Sequence, residues 1–174
     1  LIETVYALRL KYKGKKVSIQ LLTNVRSGNC SQNCAYCAQS CESQAQIEKY
    51  KRVSDEKLYG DNDLVDNKHL ARHCIGLSGI SFTDAEIEDL AGRIRKMKKN
   101  DTQICCSIGF LTEKQALMLK EAGLNRINHN LNSSRRFYPN ICTTHTYDQR
   151  INNIRMLKRI GFEMCRGGFF GVGG

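Results

Sequence analysis

The sequence predicts an α/β fold built from parallel βα units, and three observations predict it. Apolar runs of strand length recur along the chain: "KVSIQLLT", "HCIGLSG", "QICCSIG", "NRINHNL" and "FEMCRGGFFG". Amphipathic helical patterns separate the later runs. Three of those helices open alike, with Thr followed three residues later by Glu or Gln, a pairing in which the two side chains satisfy orphan amides of the first turn. Strands that alternate with such helices pair in parallel, because each helix returns the chain to the same end of the sheet.

The elements follow in order. "LIETVYALRLKYKGK" reads as a helix, and Lys16 to Thr23 as the first strand, ahead of a cysteine-rich loop. Ser54 to Leu70 is less regular, with Gly60 inside and many acids, and is expected to be helical. Thr83-Asp84-Ala85-Glu86 opens a helix in which Ile87, Leu90, Ala91, Ile94 and Met97 recur at helical spacing. Thr112-Glu113-Lys114-Gln115 opens a second that closes at Gly123. Thr146-Tyr147-Asp148-Gln149 opens a third, with Ile151, Ile154, Leu157 and Ile160 on one face and Gly161 at its end. Five such strands suit either an open doubly wound sheet or part of a barrel, and periodicity does not separate the two.

Pro139 is the only proline, and no low-complexity linker divides the chain, so residues 1–174 are expected to form a single domain. The chain starts at Leu1 within a helical pattern and stops in the glycine-rich "GGFFGVGG". The expectation is therefore a partial domain, truncated at both ends.

Lys and Arg outnumber Asp and Glu by 27 to 17, a net charge of +10. Such a balance suits nucleic acid or an anionic small ligand. Most of it, however, falls on polar helix faces such as "RIRKMKK", and neither a nucleic-acid-binding signature nor a Trp is present. A solvated surface is expected, with no nucleic-acid partner. No apolar run approaches the roughly 20 residues of a membrane helix, so no membrane association is expected. Nine cysteines is a high count. A secreted disulfide framework suits a small, loop-rich chain with an export signal, and this sequence reads as neither. A reducing cytoplasm is the expected setting, where clustered cysteine means metal or catalysis.

"SGNCSQNCAYCAQSC" places Cys30, Cys34, Cys37 and Cys41 within twelve residues. Three thiols at C-x3-C-x2-C suit three corners of an iron–sulfur cube with one iron left open; all four could close it, or bind zinc. The ferredoxin run C-x2-C-x2-C-x3-C-P differs in its first gap and in the residue after the last Cys, here Glu42. Zinc sites more often use two separated C-x2-C pairs, and only Cys34 and Cys37 offer that step. Residue chemistry alone favours a cluster-binding loop and leaves Cys41 undecided. Cys74, Cys105 and Cys165 fall in three different strands. Because strand residues alternate faces, Cys105 and Cys106 must point opposite ways.

With its aromatic Tyr36 before the last Cys, this motif resembles the radical S-adenosylmethionine signature. "SGNCSQNCAYCAQS" is similar to biotin synthases in particular. So are "ARHCIGLSG", "ICCSIGFLTEKQALMLKEAGLNRINHNLNSS", "FYPNICTTHTYDQR" and "CRGGFFGVGG", in order from about Val17 to Gly174. The resemblance implies a (β/α)8 TIM-type barrel of which this chain supplies about the first five βα units. It implies that Cys30, Cys34 and Cys37 hold a 4Fe–4S cluster. The open iron of that cluster would bind S-adenosylmethionine, which one electron cleaves to a deoxyadenosyl radical. A fourth thiol would block that position, so Cys41 is not an expected ligand. Cys74, Cys105 and Cys165 match the ligands of an auxiliary iron–sulfur cluster, 2Fe–2S or a variant, the proposed sulfur donor. Its remaining ligand in the family is an Arg on a later strand. Cys142 stands where the better-known enzymes have an apolar residue.

"NHNLN" reads as an alternating strand, with Asn128, Asn130 and Asn132 on one face and His129 on the other. Three amides on a core-facing stripe are costly unless they bind something. By resemblance, Asn128 and Asn130 match positions near dethiobiotin and the nucleoside. Asn132 replaces an Asp that accepts from the ribose, and Arg150 matches an Arg that pairs with the methionyl carboxylate. Tyr36 joins the cofactor-binding set. Arg72 is placed near the auxiliary cluster, and Gly167, Gly168, Gly171 and Gly173 where backbone approaches S-adenosylmethionine.

The activity implied is biotin synthesis: a sulfurtransferase acting on dethiobiotin, fed by flavodoxin or ferredoxin and homodimeric when full length. Without its last three strands, the chain alone is not expected to close a barrel or turn over. Rival readings are a hydrogenase-maturase-like or amino-acid-mutase-like radical enzyme, and an electron-transfer or structural metal-binding module. The three strand cysteines argue against the first. The Asn stripe and Arg150 argue against the second.

Overall fold

The computed structural model describes residues 1–98, 101–169 and 171. Five strands form one sheet in the order β1-β2-β3-β4-β5, every pair parallel. They are β1 (Gln20–Arg26), β2 (Arg72–Leu77), β3 (Ile104–Ser107), β4 (Arg126–Asn128) and β5 (Glu163–Cys165). The helices are α1 (Ile2–Lys13), α2 (Asp55–Asn67), α3 (Asp84–Met97), α4 (Glu113–Glu121), the short α5 (Tyr138–Ile141) and α6 (Tyr147–Arg159). Successive right-handed crossovers between strands in sequential order keep their helices on one face of the sheet. A doubly wound sheet would need the strand order to reverse. The fold is α/β, an incomplete wall of a (β/α)8-type barrel.

The three expected capping boxes are present. Thr83 pairs with Glu86, Thr112 with Gln115 and Thr146 with Gln149, each through both reciprocal bonds. Ser54 caps α2 by accepting from the Lys57 amide at 3.2 Å. The main core lies between sheet and helices. Ile75, Ile104, Cys106 and Ile127 from the strands meet Ile87, Leu90, Ile94 and Met97 of α3, Leu119 of α4 and Leu157 of α6. The register sets this arrangement: Ile75 is level with Cys106, and Cys106 with Ile127.

Two expected strands are displaced. The first begins at Gln20 rather than Lys16: Val17 and Ile19 are exposed, and Gln20 is the first residue in register with β2. The fourth ends at Asn128, so the alternation expected over Asn128, Asn130 and Asn132 does not run along one strand. Asn132 instead adopts a left-handed φ of 66° and bridges to Gly168. Helix α5, with Pro139 in its first turn, was not among the expected elements.

Candidate functional site

A cavity of about 300 Å³ lies over the C-terminal ends of the strands, the end at which barrel enzymes place their chemistry. Cys30, Cys34 and Cys37 border it, as do Tyr36, Asn128, Asn130, Asn132 and Arg150. Cys41 does not; it is exposed, and its sulfur lies 3.7 Å from the Ser31 carbonyl. None of the nine cysteines is in a disulfide. The loop that carries the three thiols is folded by its own backbone. The Cys37 amide donates to the Cys34 carbonyl at 3.0 Å, the Ser40 amide to Cys37 at 3.0 Å, and the Cys30 amide to Gln39 at 3.3 Å. The Ala35 amide ties the loop to the Ile141 carbonyl of α5 at 2.9 Å. Three free sulfur donors presented to one cavity fit an iron–sulfur cluster. Burial, then the neighbouring Cys142, push the Cys34 thiol up to about 12 when no metal holds it.

On the sheet's open face, Cys74 and Cys105 are level and adjacent, while Cys106 turns into the helix-side core. Cys165 shares their face but is level with Asn128, two residues further along than the Cys105–Arg126 row. That offset is about 7 Å along the strand. Cys74 is pulled down to about 7, first by the hydrogen bond from Cys105 and then by Arg72 and Arg126, against a burial effect that raises it. Cys105 shifts up as the proton-holding partner of that bond. Among the described residues, these three sulfurs do not gather within the 4.8 Å that ligands of a single ion would share.

The amides come together by a route other than strand alternation. Asn132 Nδ2 donates to the Tyr36 hydroxyl. The Asn132 amide donates to Gly167 at 3.1 Å, and its carbonyl accepts from Phe169 at 2.8 Å. The Tyr36 ring packs on Phe169 with centroids 5.0 Å apart. Gly167 faces the Asn130 side chain, which a Cβ would meet at 3.5 Å. Asn128 Oδ1 is buried and has no hydrogen-bond partner among the described residues, which leaves an acceptor for a ligand. Gly173 lies outside the described residues, and Arg72 flanks the Cys74 thiol at the opposite end of β2 from the cavity.

Arg150 is held from three sides. Nη1 donates to the Asn130 carbonyl at 3.1 Å, Nε to the Tyr138 hydroxyl, and both Nε and Nη2 approach His145 Nε2, at 3.1 and 2.9 Å. Burial, then Arg150, lower His145 to about 4 and keep it neutral at physiological pH. His129 also borders the cavity, lowered to about 4 by burial and Arg150, with its Nε2 unpartnered among the described residues. Sequence alternation puts His129 on the face away from the Asn residues. Neither it nor His145 carries a spacing signal that sequence reasoning could have used.

A biotin synthase of Bacillus cytotoxicus is 41% identical over 175 residues, which cover 99% of this chain and 52% of that protein. A biotin synthase of Bacillus thuringiensis strain Al Hakam is 39% identical over 174 residues, again 99% of this chain and 52% of the relative. The chain thus spans about half the length of the curated relatives it matches. Among solved structures, methylornithine synthase superposes with a TM-score of 0.82 at 18% identity, covering 99% of this chain and 52% of that one. The [FeFe]-hydrogenase maturase HydG of Carboxydothermus hydrogenoformans gives 0.78 at 17% identity, covering 97% and 40%. At those identities the likeness is one of fold. The family model described as "Radical SAM superfamily" matches residues 24–174, from β1 through the cysteine loop and all later strands, and this chain belongs to that superfamily.

Proposed function

We propose that the protein is a biotin synthase, inserting sulfur into dethiobiotin, and that this chain carries the part of it that holds both metal centres. One observation carries the reading: a single cavity is bordered by the three motif cysteines, the three asparagines and Arg150. The similarity to biotin synthases over 99% of the chain supports it.

A 4Fe–4S cluster on Cys30, Cys34 and Cys37 would supply the electron that cleaves the sulfonium of S-adenosylmethionine. The chain's own residues position what reacts. The Arg150 guanidinium, fixed by Asn130, Tyr138 and His145, offers a positive charge at the cavity for the methionyl carboxylate. The unpartnered Asn128 Oδ1 suits an N–H of the cyclic urea in dethiobiotin. Tyr36 and Phe169 add apolar surface to the cavity wall. Cys74, Cys105 and Cys165 would hold the auxiliary cluster as sulfur source. A flavodoxin or ferredoxin donor, a homodimer and a cytoplasmic setting belong to the same proposal. Among the described residues, no helix is long and apolar enough to cross a membrane.

The test is anaerobic reconstitution of the full-length protein with iron and sulfide, followed by assay with dethiobiotin, S-adenosylmethionine and a chemical reductant. Biotin detected by mass spectrometry is the expected product. Cys41→Ala should retain the cluster signal, and Cys30→Ala, Cys34→Ala and Cys37→Ala should each lose it. Cleavage of S-adenosylmethionine without biotin would point to another reaction of the superfamily.

A further inference from the structure

Cys142 has no part in the proposed reaction, yet it is buried against the cysteine loop. It follows α5 directly and is 4% exposed, beside Cys34 at 7% and His145 at 5%. Its sulfur lies 3.7 Å from Cys34 Sγ and 3.3 Å from His145 Nδ1.

The partners fix the direction of each bond. Arg150 aims two donors at His145 Nε2, at 3.1 and 2.9 Å, so that nitrogen accepts and the ring proton sits on Nδ1. The Nδ1–H faces both Gln32 Oε1 at 2.8 Å and the Cys142 sulfur. Cys142 is thus approached by a donor on its His145 side, and its own proton can turn to Cys34 at 3.7 Å or to Thr144 Oγ1 at 3.5 Å, a hydroxyl that itself donates to Asn33. A Cys34 thiolate bonded to iron has no proton to give, so within that pair Cys142 must be the donor. The same polarity argues against a mononuclear ion here, although the three ligand atoms lie within 4.8 Å of one another. An imidazole that accepts at Nε2 and is protonated at Nδ1 has no lone pair left for a metal.

We infer that Cys142 is a positioning residue for the iron–sulfur centre: held by His145, its thiol donates a hydrogen bond to the Cys34 sulfur and makes the cluster easier to reduce. Reduction adds negative charge to the cluster and its thiolates, and a donor aimed at one of them stabilises the reduced form. Hydrogen bonds to the sulfurs are among the factors that set cluster potentials. The inference rests on Cys30, Cys34 and Cys37 being the cluster ligands.

The experiment uses the full-length reconstituted protein, unsubstituted and as Cys142→Val and Cys142→Ser. Iron and sulfide content, a redox titration followed by electron paramagnetic resonance, and proton couplings in deuterated against ordinary water are measured for each. Cys142→Val fills the space without a donor. It should keep its iron, lose one exchangeable-proton coupling, and become harder to reduce by about tenfold, ~59 mV for a one-electron couple. Cys142→Ser keeps a donor and should shift less. A valine variant with the unsubstituted potential and coupling would overturn the inference. Loss of iron in both variants with an unchanged thermal melt would also overturn it, by making Cys142 a ligand. If the valine variant does not fold, absence of an exchangeable coupling in the unsubstituted protein overturns it as well. No cluster in the unsubstituted protein would instead remove the ligand assignment itself, an outcome that iron content identifies separately.

Discussion

Gly109 lies against the backbone of the neighbouring βα loop: the amide that follows it, Phe110 N–H, donates to the Ile80 carbonyl at 2.6 Å. A Cβ on Gly109 would collide with that same carbonyl and sit 2.6 Å from the Gly79 oxygen. Both loops border the cavity, so this close approach shapes its wall. Gly109→Ala should destabilise the protein by about 1–3 kcal/mol, the usual scale of overpacking. Gly92 is the control. It lies within α3 with open space at its Cβ position, and Gly92→Ala should stabilise by roughly 0.5–1 kcal/mol. Denaturant unfolding of both variants in the full-length protein checks the pair; a harmless Gly109→Ala would mean that the loops separate easily.

Cys105 and Cys106 are adjacent in sequence and opposite in surroundings. Cys106 is fully buried among Ile75, Ile127 and the helix residues. Cys105 shares the open face with Cys74. Cys106→Ser should therefore cost about 1–3 kcal/mol, because it buries a hydroxyl in apolar surroundings, and should leave iron content unchanged. Cys105→Ser, at a residue also buried but beside Cys74, should on the proposed function lose the iron of the auxiliary cluster. The reverse pattern in iron analysis and melting would show that the strand register is wrong by one residue.

Much of this arrangement was legible in the sequence because it depends on local chemistry. Capping boxes at Thr83, Thr112 and Thr146 need only residues three apart, and all three formed. The alternation that opposes Cys105 to Cys106 is likewise a property of one strand. The asparagines were a different matter. Asn132 reaches the cavity through a left-handed turn and a bridge to Gly168, a segment 36 residues away in sequence, and nothing in "NHNLN" encodes that pairing. The Cys34–Cys142–His145 cluster joins positions more than a hundred residues apart, so no spacing rule could find it. The choice between barrel and doubly wound sheet also needed strand order, which periodicity does not carry.

A buried polar group beneath α2 gives a pH dependence. Thr23 Oγ1 donates to Asp61 Oδ2 at 2.6 Å, Lys57 Nζ to Asp61 Oδ1 at 2.6 Å, and His73 Nε2 lies 2.8 Å from the Thr23 hydroxyl. Burial pushes the Asp61 carboxyl up, but the bonds from Lys57 and Thr23, helped by the nearby His73, hold it below the usual carboxylate range. A carboxyl depressed in the folded state contributes stability that is full above its unfolded value, about pH 4, and is lost as pH falls through the folded value. Asp61→Asn should cost about 1.5–3 kcal/mol at pH 7. The gap between it and the unsubstituted protein should close below about pH 4. Parallel stability curves for the two proteins from pH 7 to 3 would show that Asp61 contributes nothing through its charge.

Asn132 offers the sharpest test of the proposed nucleoside site. The residue is 5% exposed, its backbone is pinned by Gly167 and Phe169, and its amide donates to the Tyr36 hydroxyl. Asp tolerates the same left-handed conformation, so Asn132→Asp should fold. The new carboxylate cannot donate, so the Tyr36 hydroxyl must turn to become the donor. Burial holds the phenol protonated, so it has a proton to give, at the expense of the hydrogen bond it makes with Cys34. The second carboxylate oxygen is then free for a ribose hydroxyl. A hydrogen bond to a charged acceptor contributes roughly 1.5–3 kcal/mol against about 1 for a neutral one, and desolvation of the carboxylate takes back part of the difference. We expect Asn132→Asp to bind S-adenosylmethionine about two- to tenfold more tightly, measured by equilibrium dialysis on the reconstituted full-length protein. Asn132→Ala, which removes every side-chain acceptor, should bind more weakly. If the aspartate variant gains nothing and the alanine variant loses nothing, the ribose is held elsewhere, and Asn132 serves only to fix Tyr36 and the turn.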